Sequence, residues 1–220
     1  METLLNILRI AEAMACIAGF LSWKKIRSSH WKYLPFYLAF IVLSEYAGEY
    51  FVVHHLETLN KEFFGYFEIP VEFLFFFWMF YPSNKNTRFK QLPLICSVIY
   101  LVSWLIDIFL LSNHWFWFYS FSYTVGNLLL LILALRYFIQ LAMSNDILHF
   151  SEDILFWVSS GLLLFYLGTF PYYGLRNTFA VYYHNLFIAY SYIMYVLNIL
   201  MYLSFTIGFI CGKKQNTRYS

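Results

Sequence analysis

The chain has 220 residues, of which 61% are hydrophobic, 24% aromatic and only 12% charged. Soluble domains usually carry about 25% charged residues, so this composition excludes a water-soluble domain and indicates a protein embedded in lipid. The formal net charge of +2 is too small for a nucleic-acid binder, whose basic residues cluster on one surface.

Seven apolar segments follow one another along the chain, joined by short polar stretches. Because the hydrocarbon core of a bilayer is about 30 Å thick, a helix needs about 20 apolar residues to cross it. Pro35 and Pro93 fall in first helical turns, where the missing N–H is harmless, and Pro82 follows the third segment. The sequence therefore predicts an all-α bundle of seven transmembrane helices, with residues 1–220 forming a single domain. The predicted spans are Thr3 to Trp23, Leu34 to Val53, Phe63 to Tyr81, Gln91 to Leu111, Phe116 to Leu135, Ile154 to Tyr173 and Ala180 to Cys211.

Lysine and arginine are concentrated in alternate joints between these spans. Eleven of the 14 basic residues belong to one side of the predicted bundle, whereas only Lys61 and Arg176 belong to the other side. Since cytoplasmic joints retain positive charge during insertion, the N-terminus is predicted to face outward and the C-terminus the cytoplasm. We expect a multi-pass protein of the inner (cytoplasmic) membrane. The eleven residues are Lys24, Lys25, Arg27, Lys32, Lys85, Arg88, Lys90, Arg136, Lys213, Lys214 and Arg218.

Two pairs of glutamates lie inside the predicted spans, where an ionisable group costs several kcal/mol and usually faces the bundle interior. Residues four apart share one face of a helix, so Glu45 lies beside Glu49 on the second span and Glu68 beside Glu72 on the third. Pro70 lies between the second pair and predicts a kink, which makes it a candidate hinge.

Further polar residues belong to the same outer half of the predicted bundle. They are Arg9 and Glu12 in the first span, Asp107 near the end of the fourth and His184 in the seventh. We expect an outward-facing acidic pocket that binds a cation or a small ligand. Its predicted lining is Glu45, Glu49, Glu68, Glu72, Asp107 and His184.

A second interpretation of these groups remains open. Arg9 is three residues from Glu12, so the two side chains are predicted to pair, and the other carboxyls would then be protonated or bonded to tyrosine hydroxyls and serve helix packing. A divalent cation is a candidate ligand of the acids, no other cofactor is evident, and a single intramembrane histidine leaves metal binding undetermined.

Motifs of known catalytic chemistry are absent from the sequence. It contains no GxSxG, HExxH, P-loop or GxGxxG, and its last span has no lysine for a retinal Schiff base. We expect no catalytic residues. Small residues repeat along the first and last spans, which indicates close helix contact within one chain or between two copies, so a homo-oligomer remains open. They are Ala11, Ala15, Gly19, Gly208 and Gly212.

Three stretches carry a resemblance to known proteins. They are FWVSSGLLLFYLGTFP from Phe156 to Pro171, LNILMYLSFTIGFI from Leu197 to Ile210, and the pair Ser44-Glu45. Together they resemble a group of small, uncharacterised seven-helix integral membrane proteins of bacteria. More remotely, the architecture is similar to the heptahelical sensor region of bacterial histidine kinases, which implies signalling. The chain ends at Ser220 without a kinase, so this resemblance implies a kinase on a separate polypeptide.

The sequence therefore favours a membrane sensor or binding module with no catalysis of its own. Ligand binding would change the arrangement of the kinked third helix and act on a cytoplasmic or membrane signalling partner through the basic joints. Three alternatives remain open: a proton- or cation-coupled transporter, a metal-dependent intramembrane hydrolase centred on His184, and a structural subunit of a membrane complex.

Overall fold

The computed structural model describes residues 2–81, 90–111, 120–144 and 150–212, and every regular element in these ranges is helical. The predicted all-α class is confirmed. The elements are α1 (Glu2–Leu21), α2 (Trp23–Ile26), a 3₁₀ turn (His30–Tyr33), α3 (Leu34–Val53), α4 (Glu57–Phe63), a first π segment (Phe64–Glu68), α5 (Ile69–Met79), α6 (Leu92–Ile106), a second π segment (Asp107–Leu111), α7 (Ser120–Ala142), α8 (Ile154–Tyr182) and α9 (His184–Cys211).

Six helical stretches in the described ranges are long and apolar enough to cross a membrane. Their outer faces are aliphatic and aromatic, and Leu43, Phe109 and Leu167 are 68%, 78% and 62% exposed. Hydrocarbon solvates such faces, whereas water would disfavour so much contiguous apolar surface. The chain is therefore a multi-pass membrane protein. The six stretches are Glu2–Leu21, His30–Val53, Leu92–Leu110, Phe121–Ala142, Ile154–Arg176 and His184–Cys211.

The third predicted span, Phe63 to Tyr81, is not among these six stretches. It lies on α4, the first π segment and α5, which follow one another without a non-helical residue. The helical run 57–79 carries Glu57, Glu62, Glu68 and Glu72, more acidic residues than any of the six stretches.

Two helices extend beyond their predicted ends. Helix α7 continues to Ala142 rather than stopping at Leu135, so Arg136 lies within a helix and not in a joint. The polar residues after Leu135 are good helix formers, and no glycine or proline stops the helix there.

Helix α8 likewise continues to Tyr182, so Arg176 lies within a helix, and Pro171 is accommodated inside it. Tyr183 alone separates α8 from α9, which starts at His184 rather than Ala180. Pro35 and Pro93 lie in the first turns of α3 and α6, as predicted. The remaining predictions on loops concern residues outside the described ranges, namely Pro82, Lys85, Arg88, Phe116, Lys213, Lys214 and Arg218.

Helix α5 occupies the centre of the bundle. Its fully buried Phe73 contacts Tyr100 of α6, Tyr123 of α7 and Tyr166 of α8, with ring centroids 4.9, 5.2 and 5.7 Å away. Helix α9 packs between α1 and α8, and α1 also packs against α3. The aromatic core is therefore built around α5.

Small residues allow the outer helices to approach this core closely. A Cβ atom added at Gly19 of α1 would lie 2.8 Å from Pro35 Cγ and 3.1 Å from Phe209 Cε2. One added at Gly208 of α9 would lie 2.9 Å from Trp157 Cβ. The small residues that the sequence singles out thus serve helix contacts within one chain.

Gly126 provides a test of this packing. A Cβ atom there would lie 2.9 Å from ring atoms of both Phe73 and Tyr100, so both buried rings must shift. We expect Gly126→Ala to destabilise the protein by about 1–3 kcal/mol, the usual cost of overpacking, and to lower the midpoint of thermal unfolding in detergent.

The matched control is Gly174→Ala in α8. The nearest atom to an added Cβ there is Thr124 Oγ1 at 3.4 Å, an ordinary contact, and alanine favours the helix by about 0.5–1 kcal/mol over glycine. We expect an unchanged or higher midpoint. Equal shifts for the two variants would contradict the close packing at Gly126.

Candidate functional site

The carboxyl group of Glu72 on α5 is bonded directly to another helix. The hydroxyl of Tyr166 on α8 donates a hydrogen bond of 2.8 Å to Glu72 Oε1. Tyr166 is fully buried, so this bond lies in the interior of the bundle. It connects the central helix to α8 at the level of the aromatic core.

Glu72 belongs to a group of four carboxyls, here called the acidic cluster, formed by Glu12, Glu45, Glu68 and Glu72. Glu68 lies within electrostatic range of the other three. Glu12 and Glu68 are 2% and 8% exposed, and Glu45 and Glu72 are half-buried. The four side chains come from α1, α3, the first π segment and α5. Because like charges in a medium of low dielectric constant repel strongly, an ionised cluster requires positive charge nearby.

Buried tyrosines surround the acidic cluster. Tyr202 of α9 lies within electrostatic range of all four carboxyls, and Tyr37 of α3 within range of Glu68 and Glu72. Tyr123 of α7 is within range of Glu72. The carboxyls and tyrosines of this region thus come from most of the long helices. The surrounding tyrosines are Tyr37, Tyr100, Tyr123, Tyr166 and Tyr202, all of them at most 6% exposed.

One of these tyrosines leaves its polar atom unsatisfied. Tyr100 is fully buried, and its hydroxyl has no hydrogen-bond partner among the described residues. The groups within its electrostatic range are Glu72, Asp107 and Glu68. An unsatisfied buried hydroxyl costs about 1–3 kcal/mol, so this group faces the acids without a stabilising bond of its own.

The predicted pairing of Arg9 with Glu12 is wrong. Arg9 instead forms an ion pair with Glu49 of α3, with Nη2–Oε2 and Nη1–Oε1 distances of 3.1 and 3.3 Å. Side-chain exposures of 23% and 46% place this pair at the edge of the bundle. Glu49 therefore holds α1 against α3, while Glu12 is left to the acidic cluster.

Asp107 and His184 have other surroundings than the predicted pocket. Asp107 is buried, and its Oδ2 accepts 2.8 Å hydrogen bonds from both the N–H and the hydroxyl of Ser122. It thereby satisfies a free N–H in the first turn of α7, as an N-cap residue does. His184 is exposed at the first residue of α9.

Pro70 follows a change of helix geometry. The first π segment ends at Glu68, and Pro70 lies in the first turn of α5. Because proline has no N–H, a carbonyl one turn earlier lacks its usual donor. The indole N–H of Trp104 donates to the carbonyl of Gly65 at 3.0 Å. The irregular turn that presents Glu68 is therefore stabilised by α6.

The sequence does not indicate Glu12 as part of this site, and it indicates tyrosine hydroxyls as partners of the acids only under the packing interpretation, which the bond from Tyr166 to Glu72 fits. Tyrosine excess in a membrane protein is usually explained by belts at the two interfaces. The positions of Tyr100, Tyr166 and Tyr202 well inside their helices are the signal against belts, because interfacial residues lie near helix ends. The spacing of Arg9 and Glu12 along α1 does not reveal that the two side chains have different partners.

Other polar residues have structural roles. The side-chain amide of Asn127 on α7 donates to the Tyr166 carbonyl at 3.1 Å and joins α7 to α8. Cys16, Cys96 and Cys211 are free thiols. Within residues 2–81, 90–111, 120–144 and 150–212, no group of three or more His, Cys, Asp or Glu is arranged to hold a metal ion.

Removing the hydrogen bond from Tyr166 to Glu72 tests how much this contact stabilises the protein. Tyr166→Phe removes the donor and leaves Glu72 without this partner, so we expect a loss of about 1–3 kcal/mol and a lower midpoint of thermal unfolding. Tyr46→Phe removes the same hydroxyl from a side chain that is 59% exposed and should leave the midpoint unchanged. A Tyr166→Phe protein as stable as this control would show that the bond contributes nothing.

Comparisons of the whole chain with family profiles, curated proteins and solved structures find no match. The suggested kinship with small seven-helix bacterial proteins therefore stays a prediction. The function is inferred from the chemistry of the acidic cluster and the tyrosines around it.

Proposed function

We propose that this protein is a membrane sensor or binding module in which the acidic cluster and its tyrosines bind a cation or small ligand, without catalysis. The observation that carries the proposal is that four carboxyls of α1, α3, the first π segment and α5 lie within electrostatic range of buried tyrosines of α3, α7 and α9, with Glu72 bonded to Tyr166 of α8. Glu49 and Asp107 support this site through α1 and α7 rather than by binding the ligand.

Energetics favours a binding role over a packing role. Burying an ionisable side chain in a membrane costs several kcal/mol, whereas an apolar side chain of similar size fills the same space at no such cost. Packing alone therefore gives no reason for four carboxyls in one region. Ligand binding gives one, because a bound cation offsets the cost of ionising them.

The first and last helices support seven spans. Ser22, just after α1, donates to the Phe209 carbonyl of α9 at 3.0 Å, and Lys25 donates to the Ile210 carbonyl at 3.1 Å. The C-terminal ends of α1 and α9 thus lie together, so these helices run in the same direction. An odd number of crossings follows, and residues 57–79 supply the crossing missing from the six stretches.

The basic joints support the proposed orientation, and the π segment before Pro70 supports the proposed route of the signal. The basic joints favour an outward N-terminus and an inner (cytoplasmic) membrane, with a signalling partner contacted on the cytoplasmic side. A ligand changes the conformation only if it binds two arrangements with different affinity. The π segment before Pro70 is the element we propose to shift, since π turns are often found at functional sites.

A row of phenols favours one second candidate function, proton- or cation-coupled transport. The rings of Tyr123 and Tyr173 stack with centroids 4.1 Å apart, and their hydroxyls are hydrogen-bonded. The ring centroid of Tyr166 lies 6.4 Å from that of Tyr123, and the Tyr166 hydroxyl donates a hydrogen bond to Glu72. The hydroxyl pair of Tyr123 and Tyr173 beside the hydroxyl–carboxyl pair of Tyr166 and Glu72 supplies groups of the kind that proton pathways use.

The topology is testable with single cysteines in a variant lacking the three native ones. Seven spans put Glu57→Cys on the outer side and both Arg27→Cys and Lys90→Cys on the cytoplasmic side. In intact cells, we expect a membrane-impermeant thiol reagent to label only Glu57→Cys, and all three should react after the membrane is permeabilised. Labelling of both Glu57→Cys and Lys90→Cys in intact cells would mean that residues 57–79 do not cross, whereas labelling of Arg27→Cys and Lys90→Cys without Glu57→Cys would mean that the orientation is reversed.

Thermal unfolding of the purified protein tests the binding function. We expect at least one member of a panel of inorganic cations and amines to raise the midpoint of the wild type. A ligand at 100 times its Kd stabilises the folded state by about 2.7 kcal/mol. The Glu45→Gln/Glu72→Gln variant, which keeps side-chain volume, should lose this shift.

The control is Glu57→Gln, which neutralises an exposed carboxyl in the first turn of α4 and should respond like the wild type. A shift that survives in the double variant would contradict the role of the acidic cluster. Proteoliposomes distinguish the two candidate functions, because only a transporter accumulates the ligand inside the vesicle when a pH gradient is imposed.

A further inference from the structure

We infer that the ligand of the acidic cluster is an organic ammonium ion with at least one N–H group, such as a primary amine in its protonated form. This inference rests on the proposed binding function and specifies the class of ligand. Three features of the site carry it: its charge, its aromatic walls and the unsatisfied hydroxyl of Tyr100.

When the acidic cluster is ionised, its charge calls for a cation from outside the chain. Arg9 is the basic residue within electrostatic range of Glu12 and Glu45, and its guanidinium is committed to Glu49 by two contacts of 3.1 and 3.3 Å. Glu68 and Glu72 have each other within range. A bound monovalent cation between these two carboxyls would offset one of their two negative charges and reduce their mutual repulsion.

The walls of the site are aromatic, which favours an organic cation over a small metal ion. Calcium and magnesium take oxygen ligands on all sides, whereas an ammonium ion with carbon substituents binds to ring faces by cation–π attraction and hydrophobic contact. Phe73 follows Glu72 directly and contacts the rings of Tyr100, Tyr123 and Tyr166. Tyr37 adds a further ring within range of Glu72.

The hydroxyl of Tyr100 indicates that the ligand donates hydrogen bonds. This oxygen is fully buried and has no hydrogen-bond partner among the described residues, and the carboxyls within its electrostatic range accept hydrogen bonds when ionised. An N–H group supplies donors to both the phenol oxygen and the carboxylates. A quaternary ammonium ion has no N–H and leaves these acceptors unsatisfied.

The test is a thermal-shift titration of the protein in nanodiscs with a panel of cations at equal ionic strength. The probes are methylammonium, butylammonium and phenethylammonium as primary amines, tetramethylammonium as the quaternary analogue, and sodium and calcium chlorides. We expect one or more primary amines to raise the unfolding midpoint, with tetramethylammonium and the inorganic salts at least tenfold weaker.

Three variants connect such a shift to the site. Glu72→Gln and Glu68→Gln, which preserve volume, should each weaken amine binding at least tenfold, and Glu57→Gln should not. Tyr100→Phe removes only the hydroxyl and should reduce the preference for a primary amine over tetramethylammonium. If Tyr100→Phe keeps the full preference for a primary amine, the Tyr100 hydroxyl does not select a ligand with an N–H group.

Ammonium groups also occur on aminophospholipids, so the nanodisc lipid separates the two sources. In discs of phosphatidylglycerol alone, a midpoint that rises with added amine identifies a soluble amine as ligand. If the midpoint rises only when phosphatidylethanolamine is included, the ammonium group comes from the lipid.

Failure of the ligand class and failure of the binding function give different results. If sodium or calcium raises the midpoint, Glu72→Gln abolishes this effect and every amine is inactive, the binding function stands and the ammonium inference is overturned. If no cation of either kind shifts the midpoint in any disc, both are overturned.

Discussion

Carboxyl groups held among helices in a lipid bilayer impose the constraint on which the rest of this structure depends. Hydrocarbon offers neither hydrogen-bond partners nor counter-charge, so every polar group must find its partners inside the protein. The distribution of side chains follows this rule. Aliphatic residues such as Leu43 and Leu167 face outward, whereas Glu12, Glu68 and the core tyrosines face inward.

Meeting this constraint needs helices that approach closely and a central helix that presents acids in several directions. Small residues such as Gly19 and Gly126 supply the close approach. The turn from Phe64 to Glu68 departs from α geometry, and Trp104 satisfies one of its carbonyls. Support for the acidic cluster thus comes from residues outside it. The buried Asp107 is one of them, because its carboxylate is bonded to the start of α7.

Sequence reasoning predicts the features that depend on composition and local spacing. Long apolar runs identify the helices, and the four-residue spacing of Glu68 and Glu72 puts both on one side of the central helix. It fails where the outcome depends on how helices rotate against each other. Arg9 pairs with Glu49 across two helices, a contact that no spacing within α1 reveals. Hydropathy likewise marks where the apolar run ends but not where α7 and α8 stop.

The five-residue π turn from Phe64 to Glu68 has a consequence for the history of this chain. A π turn contains one residue more per hydrogen-bonded ring than an α turn, so an uninterrupted α-helix in its place would contain one residue fewer. Ancestral or divergent chains with an uninterrupted α-helix here would align with a one-residue gap, and their residues before the gap would be rotated by about 100° relative to Glu72. Descent of this site would then be traceable through a length change rather than through a substitution.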